Sequence, residues 1–196
     1  MTKMEFLIGR NGIKMKKIID KGQPNGEPWT DKNTYHSYFP IYEAEFDKLK
    51  DIDLLEIGVF KGGSMIVWDD HFEGNNTILG IDDFAYVNKD EVWVDLNRVF
   101  EGDSTSPIGW DEKLNNLTFD YIIDDGDHTS GAQIKTIEIF FKYLKKGGKY
   151  FIEDIMSSND LNLLESYLNL NKYSYKVYDV RSQKDRWDDL MIVVYN

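Results

Sequence analysis

Short apolar segments that run into acidic side chains recur along this chain, and they constrain its fold more than any other feature. Apolar runs of this length, bounded by Gly and acids, are typical of strands buried on both faces of a sheet. Between them, GGSMIVWDDHF (62–72) and SGAQIKTIEIFFKYLKKGG (130–148) carry apolar residues at helical spacing, and the second is predicted to stay helical up to its Gly pair. The strand segments are DLLEIGVF (53–60), TILGID (77–82), RVFEGD (98–103), YIIDDGDH (121–128) and KYFIEDI (149–155).

Strands that alternate with helices predict a doubly wound, mainly parallel α/β sheet of the Rossmann-like kind, here with seven strands. The C-terminal part adds a helix near NDLNLLESYLNL (159–170) and two strands, YSYKVYDV (173–180) and DLMIVVY (189–195). These two lie close enough along the chain to pair, so the sheet is expected to end in an antiparallel C-terminal strand. Ligands of such sheets bind beyond the carboxyl ends of the strands.

The length of 196 residues suits one structural domain. Residues 1–50 differ from the rest, because they hold three of the four prolines and little periodicity. They are expected to form a helix and a loop that cover the site, and the Lys-rich stretch KMKKIIDK (14–21) is expected to be a solvated helix face. Residues 51–196 carry the alternating strands and helices.

The charge balance and the absence of cysteine exclude several classes of function. A net charge of −12 argues against nucleic acid as a partner, since binding to phosphate backbones needs a basic surface. With no cysteine, disulfides, thiolate metal sites and thiol nucleophiles are excluded. No apolar run approaches the ~20 residues of a membrane span. A soluble, cytoplasmic protein with no membrane partner is expected, and a homo-oligomer is left open.

The segment YIIDDGDH places three carboxylates and a histidine within five positions at the end of a predicted buried strand. Glu153 and Asp154 end the next predicted strand, and neighbouring strands lie about 4.8 Å apart, so acids at both ends can converge. Like charges this close repel and raise each other's pKa. A cation is therefore expected to stabilise the cluster.

The turn EIGVFKGGS (56–64) resembles a dinucleotide-binding loop, whose pattern is G-x-G-x-x-G. Gly58 and Gly63 fit this pattern, but Phe60 stands at the middle position. The Gly normally found there lets the backbone approach a pyrophosphate, so Phe60 argues against NAD or FAD. A cofactor without a pyrophosphate does not need it.

The ordered motifs LLEIGVFKGGS, LGIDD, EGDS, FDYIIDDGDH and YFIEDI resemble those of the class I S-adenosylmethionine-dependent methyltransferases. More narrowly, they are similar to metal-dependent macrolide or sugar O-methyltransferases, whose relatives include cephalosporin hydroxylase-like proteins. TYHSYFPIYEAEF (34–46) is similar to the N-terminal segment of that group. The resemblance implies a methyltransferase domain over residues 51–196 and cofactor-binding residues Glu56, Gly58, Gly62, Ser64, Asp82, Asp103, Ser104 and Asp124.

Roles for these residues follow from the resemblance as well. It implies that Glu56, Gly58 and Gly62 shape the pocket for the methionine part of S-adenosylmethionine. Asp82 would accept hydrogen bonds from the ribose hydroxyls, and Asp103 and Ser104 would lie at the adenine. Carboxylates suit a diol or an exocyclic amine, which agrees with these roles.

The metal ligands implied by the resemblance are Asp125, Glu153 and Asp154. An all-oxygen site suits Mg²⁺, with Mn²⁺ or Ca²⁺ as substitutes. His128 would be the catalytic base that takes the proton of the acceptor hydroxyl, and a vicinal diol would chelate the ion. Asp127 departs from the Ser or Thr that the group commonly has before this His, and it is expected to raise the pKa of His128.

The leading hypothesis is thus a Mg²⁺-dependent O-methyltransferase whose partner is a small hydroxylated acceptor such as a sugar. One alternative is a nucleotide-dependent sugar-modifying oxidoreductase, which Phe60 disfavours. Another is a non-catalytic partner subunit that binds S-adenosylmethionine, and such a subunit would need neither a base nor metal ligands. The acceptor and the role of His36 in the N-terminal segment stay open.

Overall fold

The computed structural model describes residues 6–8, 14–16 and 29–196. The strands are an antiparallel pair, β1 (Phe6–Ile8) and β2 (Lys14–Lys16), followed by β3 (Asp53–Ile57), β4 (Thr77–Asp82), β5 (Val99–Glu101), β6 (Phe119–Asp124), β7 (Leu144–Ile152), β8 (Ser174–Asp179) and β9 (Leu190–Tyr195). The last seven form one sheet in the order β5-β4-β3-β6-β7-β9-β8, in which β9 pairs antiparallel with β7 and β8 and the other pairs are parallel. This confirms the predicted seven-stranded, mainly parallel sheet with an antiparallel C-terminal strand.

Helices cover the sheet and begin at side chains suited to that position. Thr129 caps the helix that follows β6, and Ser157 caps the helix after β7 by accepting a hydrogen bond from the backbone N–H of Asp160. The helices are α1 (Asp31–Thr34), α2 (Phe39–Glu45), α3 (Gly63–His71), α4 (Trp110–Lys113), α5 (Ser130–Phe140), α6 (Ser158–Leu170) and α7 (Arg181–Lys184), with 3₁₀ turns at Lys89–Glu91, Leu96–Arg98 and Phe141–Tyr143.

The core consists of two clusters of buried apolar side chains to which successive strand residues contribute in turn. On β3, Leu54 belongs to one cluster and Leu55 to the other, as the alternation of side chains along a strand requires. Neither is exposed to solvent, and burial of such a side chain stabilises the fold by about 1.5–3 kcal/mol. The central strands are therefore fixed, and so are the positions of their carboxyl ends.

The helix predicted up to the Gly pair at 147–148 ends at Phe140 instead, and β7 begins at Leu144. The prediction was wrong because strand pairing uses this backbone: Leu144 lies opposite Phe119 on β6, and Gly147 donates a hydrogen bond to the carbonyl of Asn196. Gly147 has a φ of +80°, which favours glycine. Lys145 and Lys146, just before the Gly pair, thus belong to a strand.

The N-terminal segment also differs from its prediction. Lys14–Lys16 is a strand where a helix face was expected, and the rest of that stretch lies outside the described residues. Part of the predicted loop is helical, namely α1 and α2. Pro40 stands in the first turn of α2, where proline is tolerated, and α2 buries Phe39 and Tyr42.

None of the helices within residues 6–8, 14–16 and 29–196 has both the length and the apolar composition that a membrane span requires.

Candidate active site

A cavity of about 830 Å³ opens at the carboxyl ends of the central parallel strands. The turn after β3, the end of β4 and the turn after β6 line it, and Trp29, Thr30 and Asp31 line it from the N-terminal segment. Its volume is in the range of small-molecule sites. This is the edge at which the sequence predicted a ligand site.

The turn after β3 depends on glycine. Gly58 has a φ of +85°, and a Cβ there would lie 2.0 Å from the backbone oxygen of Asp125. A Cβ on Gly63 would lie 1.8 Å from the carbonyl oxygen of Trp29. The glycines therefore let the turn approach both the β6 end and the N-terminal segment.

Asp82 holds the same turn from the end of β4. Its Oδ2 accepts hydrogen bonds from the backbone N–H groups of Val59 (2.8 Å) and Phe60 (2.7 Å), and its Oδ1 accepts one from Phe84 (2.6 Å). A carboxylate has about four acceptor positions, so these three bonds leave about one for a ligand in the cavity that Asp82 lines. Phe60 is half-exposed and lines the cavity too.

Of the other residues implied for the cofactor, some line the cavity and some do not. Ser64, Asp103 and Ser104 line it. Asp103 accepts hydrogen bonds from the backbone and side chain of Thr105, and these hold the pKa of Asp103 below its usual value. Gly62, the N-cap of α3 with a φ of +84°, lies outside the lining.

Asp124 does not line the cavity either. Its carboxyl is buried, accepts a short hydrogen bond from Thr136 and lies 3.2 Å from the Tyr150 hydroxyl, which donates to it. Burial raises the pKa of Asp124 to about 7, against the lowering effect of these hydrogen bonds. The structure therefore gives Asp124 contacts within the core beneath the strand end.

The acidic strand ends do converge, and a cation from the chain itself lies among them. The Nζ atom of Lys32, on α1, is 2.6 Å from Oδ2 of Asp125, 2.7 Å from Oε2 of Glu153 and 3.5 Å from Oε1 of Glu56. Burial alone would lower the pKa of Lys32, but these carboxylates raise it well above its usual value. Lys32 is thus a charged ammonium group with no exposed surface.

One ammonium cannot neutralise all the acids around it. The pKa of Asp125 falls to about 2, because Lys32 and His128 outweigh the effect of burial. Burial raises the pKa of Glu56 to about 7, although the Lys32 ammonium, 3.5 Å from its Oε1, lowers it. Burial also raises the pKa of Glu153 well above normal.

Asp154 lies beside this group, and tyrosine hydroxyls bond both Asp154 and the neighbouring Glu153. The Tyr38 hydroxyl donates a hydrogen bond of 2.6 Å to Oδ1 of Asp154, and the Tyr42 hydroxyl donates to Oε1 of Glu153. Asp154 has a φ of +52°, an uncommon value for a non-glycine residue. Burial and the charge of Asp125 raise the pKa of Asp154 to about 6.

His128 lines the cavity between two of the acids. Its Nε2 is 3.5 Å from Oδ1 of Asp125, and its Nδ1 is 3.7 Å from Oδ2 of Asp154. Burial lowers the pKa of His128, but these two carboxylates outweigh it and bring the pKa to about 9. Asp127, which was expected to raise the pKa of His128, is not among the main causes of this shift. Its carboxylate accepts a hydrogen bond from the backbone N–H of Thr129.

His36 is buried behind Asp154 and does not line the cavity. Its Nδ1 lies 2.6 Å from Oδ1 of Asp189 and 3.3 Å from Oδ1 of Asp154, and its ring stacks on Tyr38.

Sequence reasoning missed the roles of Lys32, Tyr38 and Tyr42. All three come from the segment without periodicity, where no pattern showed which side chains would turn towards the strand ends.

Comparison with known proteins shows similarity to O-methyltransferases. No protein-family model matches the chain. Over 135 residues (63% of the chain), it is 30% identical to 8-demethyl-8-(2-methoxy-alpha-L-rhamnosyl)-tetracenomycin-C 3'-O-methyltransferase from Streptomyces olivaceus. Over 139 residues (66%), it is 27% identical to 8-demethyl-8-alpha-L-rhamnosyl tetracenomycin-C 2'-O-methyltransferase from the same organism. The matches span 33% and 36% of these two relatives, so the chain corresponds to about a third of their length.

Among solved structures, the chain resembles the MycE methyltransferase from the mycinamycin biosynthetic pathway in complex with Mg and SAH. The TM-score is 0.63 at 23% identity, covering 82% of this chain and 50% of the other. A second MycE complex, with Mg, SAH and mycinamycin VI, gives a TM-score of 0.54 at 28% identity over 65% and 35% of the two chains. The fold is therefore that of Rossmann-like methyltransferases, and the resemblance to sugar O-methyltransferases is confirmed.

Proposed function

We propose that this chain is an O-methyltransferase that uses S-adenosylmethionine and a divalent ion, Mg²⁺, to methylate a hydroxyl of a sugar or another vicinal diol. The observation that carries the proposal is the cavity at the strand ends. It joins the glycine turn and Asp82 on one side to Asp125 and His128 on the other. A sugar acceptor is supported by the two tetracenomycin relatives, whose names describe O-methyltransferases of rhamnosyl compounds.

The cofactor fits the cavity from the side of the glycine turn. Gly58, Ser64 and Asp82 would hold it there, with Asp103 and Ser104 at its adenine end and Glu56 beneath the methionine part. The Lys32 ammonium lies beside Oε1 of Glu56, and the buried Oε2, for which the described residues supply no hydrogen bond of normal length, suits a second ammonium donor. When bound, S-adenosylmethionine supplies a methyl group on a sulfonium centre.

The donor set also fits a divalent ion. One donor atom from each of Asp125, His128 and Asp154 lies within 4.8 Å of the other two, and the carboxylate oxygens among them suit Mg²⁺. We propose Asp125 and Asp154 as ligands. Glu153, the third residue that the resemblance implies, instead contacts Lys32 and Tyr42 in this structure. When bound, the ion lowers the pKa of the acceptor hydroxyl and orients the diol.

His128 would take the proton of the acceptor hydroxyl while the oxygen forms its bond to the methyl carbon. A base must be neutral before it accepts a proton, and with a pKa of about 9 the imidazole is mostly protonated at neutral pH. The charges of Asp125 and Asp154 cause this shift. Asp125 and Asp154 would hold the dication as well, and their charge, once offset by it, would raise the pKa of His128 less. The base and the ion site would thus be coupled through these two acids.

We also propose that the N-terminal segment of residues 1–50 covers the site. The support comes from its described part, since Trp29, Thr30 and Asp31 line the cavity and Tyr38 binds Asp154. Residues 51–196 would form the methyltransferase domain. A small hydroxylated molecule is then the expected partner.

The proposal is tested by isothermal titration calorimetry with S-adenosylmethionine, S-adenosylhomocysteine and NAD, with and without Mg²⁺. We expect both S-adenosyl compounds to bind and NAD not to bind. Binding of NAD alone would favour the oxidoreductase alternative. Binding of S-adenosylmethionine without any Mg²⁺ binding would favour the non-catalytic subunit.

Replacing Asp82 tests the cofactor side of the cavity. Asp82→Asn should weaken S-adenosylhomocysteine binding by about 1.5–3 kcal/mol, the range for hydrogen bonds to a charged group. The exposed Asp90, which is not part of the cavity, gives the matched control Asp90→Asn. Equal affinities in the two variants, with equal melting temperatures, would remove Asp82 from the site.

A further inference from the structure

Lys32 is the feature of the site that neither the motifs nor the proposed chemistry explains. A lysine is rarely buried completely unless its charge is paired, and the relative exposure of Lys32 is 0%. Its ammonium contacts three acids near the carboxyl ends of strands: Glu56 within β3, Asp125 after β6 and Glu153 after β7. Together with Asp154 these acids carry four carboxyl groups, so Lys32 compensates only part of their charge.

The contacts of Lys32 divide the acidic group into two sides. On the Lys32 side, Oδ2 of Asp125 and Oε2 of Glu153 bind the ammonium, and Oε1 of Glu153 binds Tyr42. On the other side, Oδ1 of Asp125 and Oδ2 of Asp154 face His128, which lines the cavity. Both oxygens of Glu153 are therefore used on the Lys32 side.

We propose that Lys32 is a positioning residue for the ion site, an inference that rests on the ion of the proposed function. Its ammonium holds Glu153 and one oxygen of Asp125, so that the divalent ion is received by the other oxygen of Asp125 and by Asp154. Glu153 then acts through Lys32 and is not itself a ligand. Because Lys32 carries a positive charge next to the ion, it also keeps the affinity for the ion low.

The size of this last effect follows from the distances. An oxygen ligand lies about 2.1 Å from Mg²⁺, so an ion on Asp125 would lie about 5 Å from the ammonium that binds the same carboxylate. Even at the dielectric constant of water, repulsion between one and two charges about 5 Å apart exceeds the energy of a tenfold change in affinity. Removing the charge should therefore tighten binding at least about tenfold.

The experiment is calorimetric titration of Mg²⁺ into the wild type and into Lys32→Met, without cofactor or acceptor. The control is Lys145→Met, because Lys145 also bridges two strand acids, Asp53 and Asp120, but at the amino ends of β3 and β6. We expect at least about tenfold tighter Mg²⁺ binding in Lys32→Met and an unchanged affinity in the control. Unchanged or weaker binding in Lys32→Met would overturn the proposal, since a merely structural lysine would not tighten binding when removed.

A double variant serves if Lys32→Met does not fold. Removing one partner of a buried ion pair is far more destabilising than removing both, so Lys32→Met/Glu153→Gln is the second test. We expect it to bind Mg²⁺ no more weakly than the wild type, because Glu153 is not a ligand. Weaker binding than in the wild type would show that Glu153 coordinates the ion and would overturn the proposal. S-adenosylhomocysteine binding in the same samples reports separately on the proposed function.

Discussion

The replacement Asp124→Asn tests whether Asp124 is a buried acid of the core or a residue that binds the cofactor. The resemblance implies that Asp124 binds the cofactor, whereas the structure gives its carboxyl contacts with Thr136 and Tyr150. Burial raises its pKa from 3.8 to about 7. A group whose pKa is higher in the folded state stabilises the fold fully at low pH, and this contribution is lost as pH rises through the folded value.

The magnitude follows from the same shift. Above the unfolded pKa and below the folded one, the contribution falls by about 1.36 kcal/mol per pH unit. Between pH 5.5 and pH 8.5 this covers about 1.5 units, so the wild type should lose about 2 kcal/mol relative to Asp124→Asn. All other titrating groups are common to both proteins and largely cancel in the difference.

The assay is urea unfolding of both proteins at pH 5.5, 7 and 8.5 in EDTA, together with calorimetric binding of S-adenosylhomocysteine. We expect the free energies of unfolding of the two proteins to converge, or to cross, as pH rises. The affinity of the variant for S-adenosylhomocysteine should stay within about threefold of the wild-type affinity, because losing one hydrogen bond to the ligand would change it by more than that. Parallel stability curves would contradict the buried, raised-pKa state of Asp124. A large loss of affinity would return Asp124 to the cofactor site.

Three further predictions concern the turn, the base and a tyrosine. Gly58→Ala should abolish S-adenosylhomocysteine binding or folding, because its Cβ would collide with a backbone oxygen, whereas Gly131→Ala, which has open space, should be tolerated in the same binding assay. His128→Ala should lose about 10²–10⁴ in methyl-transfer rate with cofactor affinity retained, and full activity at pH 7 would exclude it as the base. Tyr38→Phe should cost about 1.5–3 kcal/mol in urea unfolding, since it removes a donor from a carboxylate, and an unchanged midpoint would contradict that hydrogen bond.

The central sheet could be predicted from the sequence because its signals are local. The apolar residues of β4 and β6 run up to a final Asp, and those of β3 are interrupted only by Glu56 before the glycine turn. Such runs match what burial on both faces requires, and their acids meet where parallel strands end together. The end of α5 could not be predicted in this way. Lys145 and Gly147 have the composition of a helix end, but pairing with β6 and the C-terminus takes them into β7.

The candidate site was predictable only in part, for a similar reason. The carboxylates at 125, 153 and 154 follow from the strand pattern, but the cation that lies among them comes from Lys32, 93 residues before Asp125. A single Lys in a segment without periodicity carries no local signal of burial. Which oxygen of Asp125 faces the ammonium and which faces His128 depends on tertiary packing alone.

A crystal structure with S-adenosylhomocysteine and Mn²⁺, measured at a wavelength where manganese scatters anomalously, tests the proposed site most directly. We predict the adenosyl group in the cavity with its ribose at Asp82, and one anomalous peak about 2.2 Å from oxygens of Asp125 and Asp154. Lys32 should remain on Glu153, outside the coordination sphere. S-adenosylhomocysteine bound elsewhere, or an anomalous peak away from Asp125 and Asp154, would contradict the proposed site.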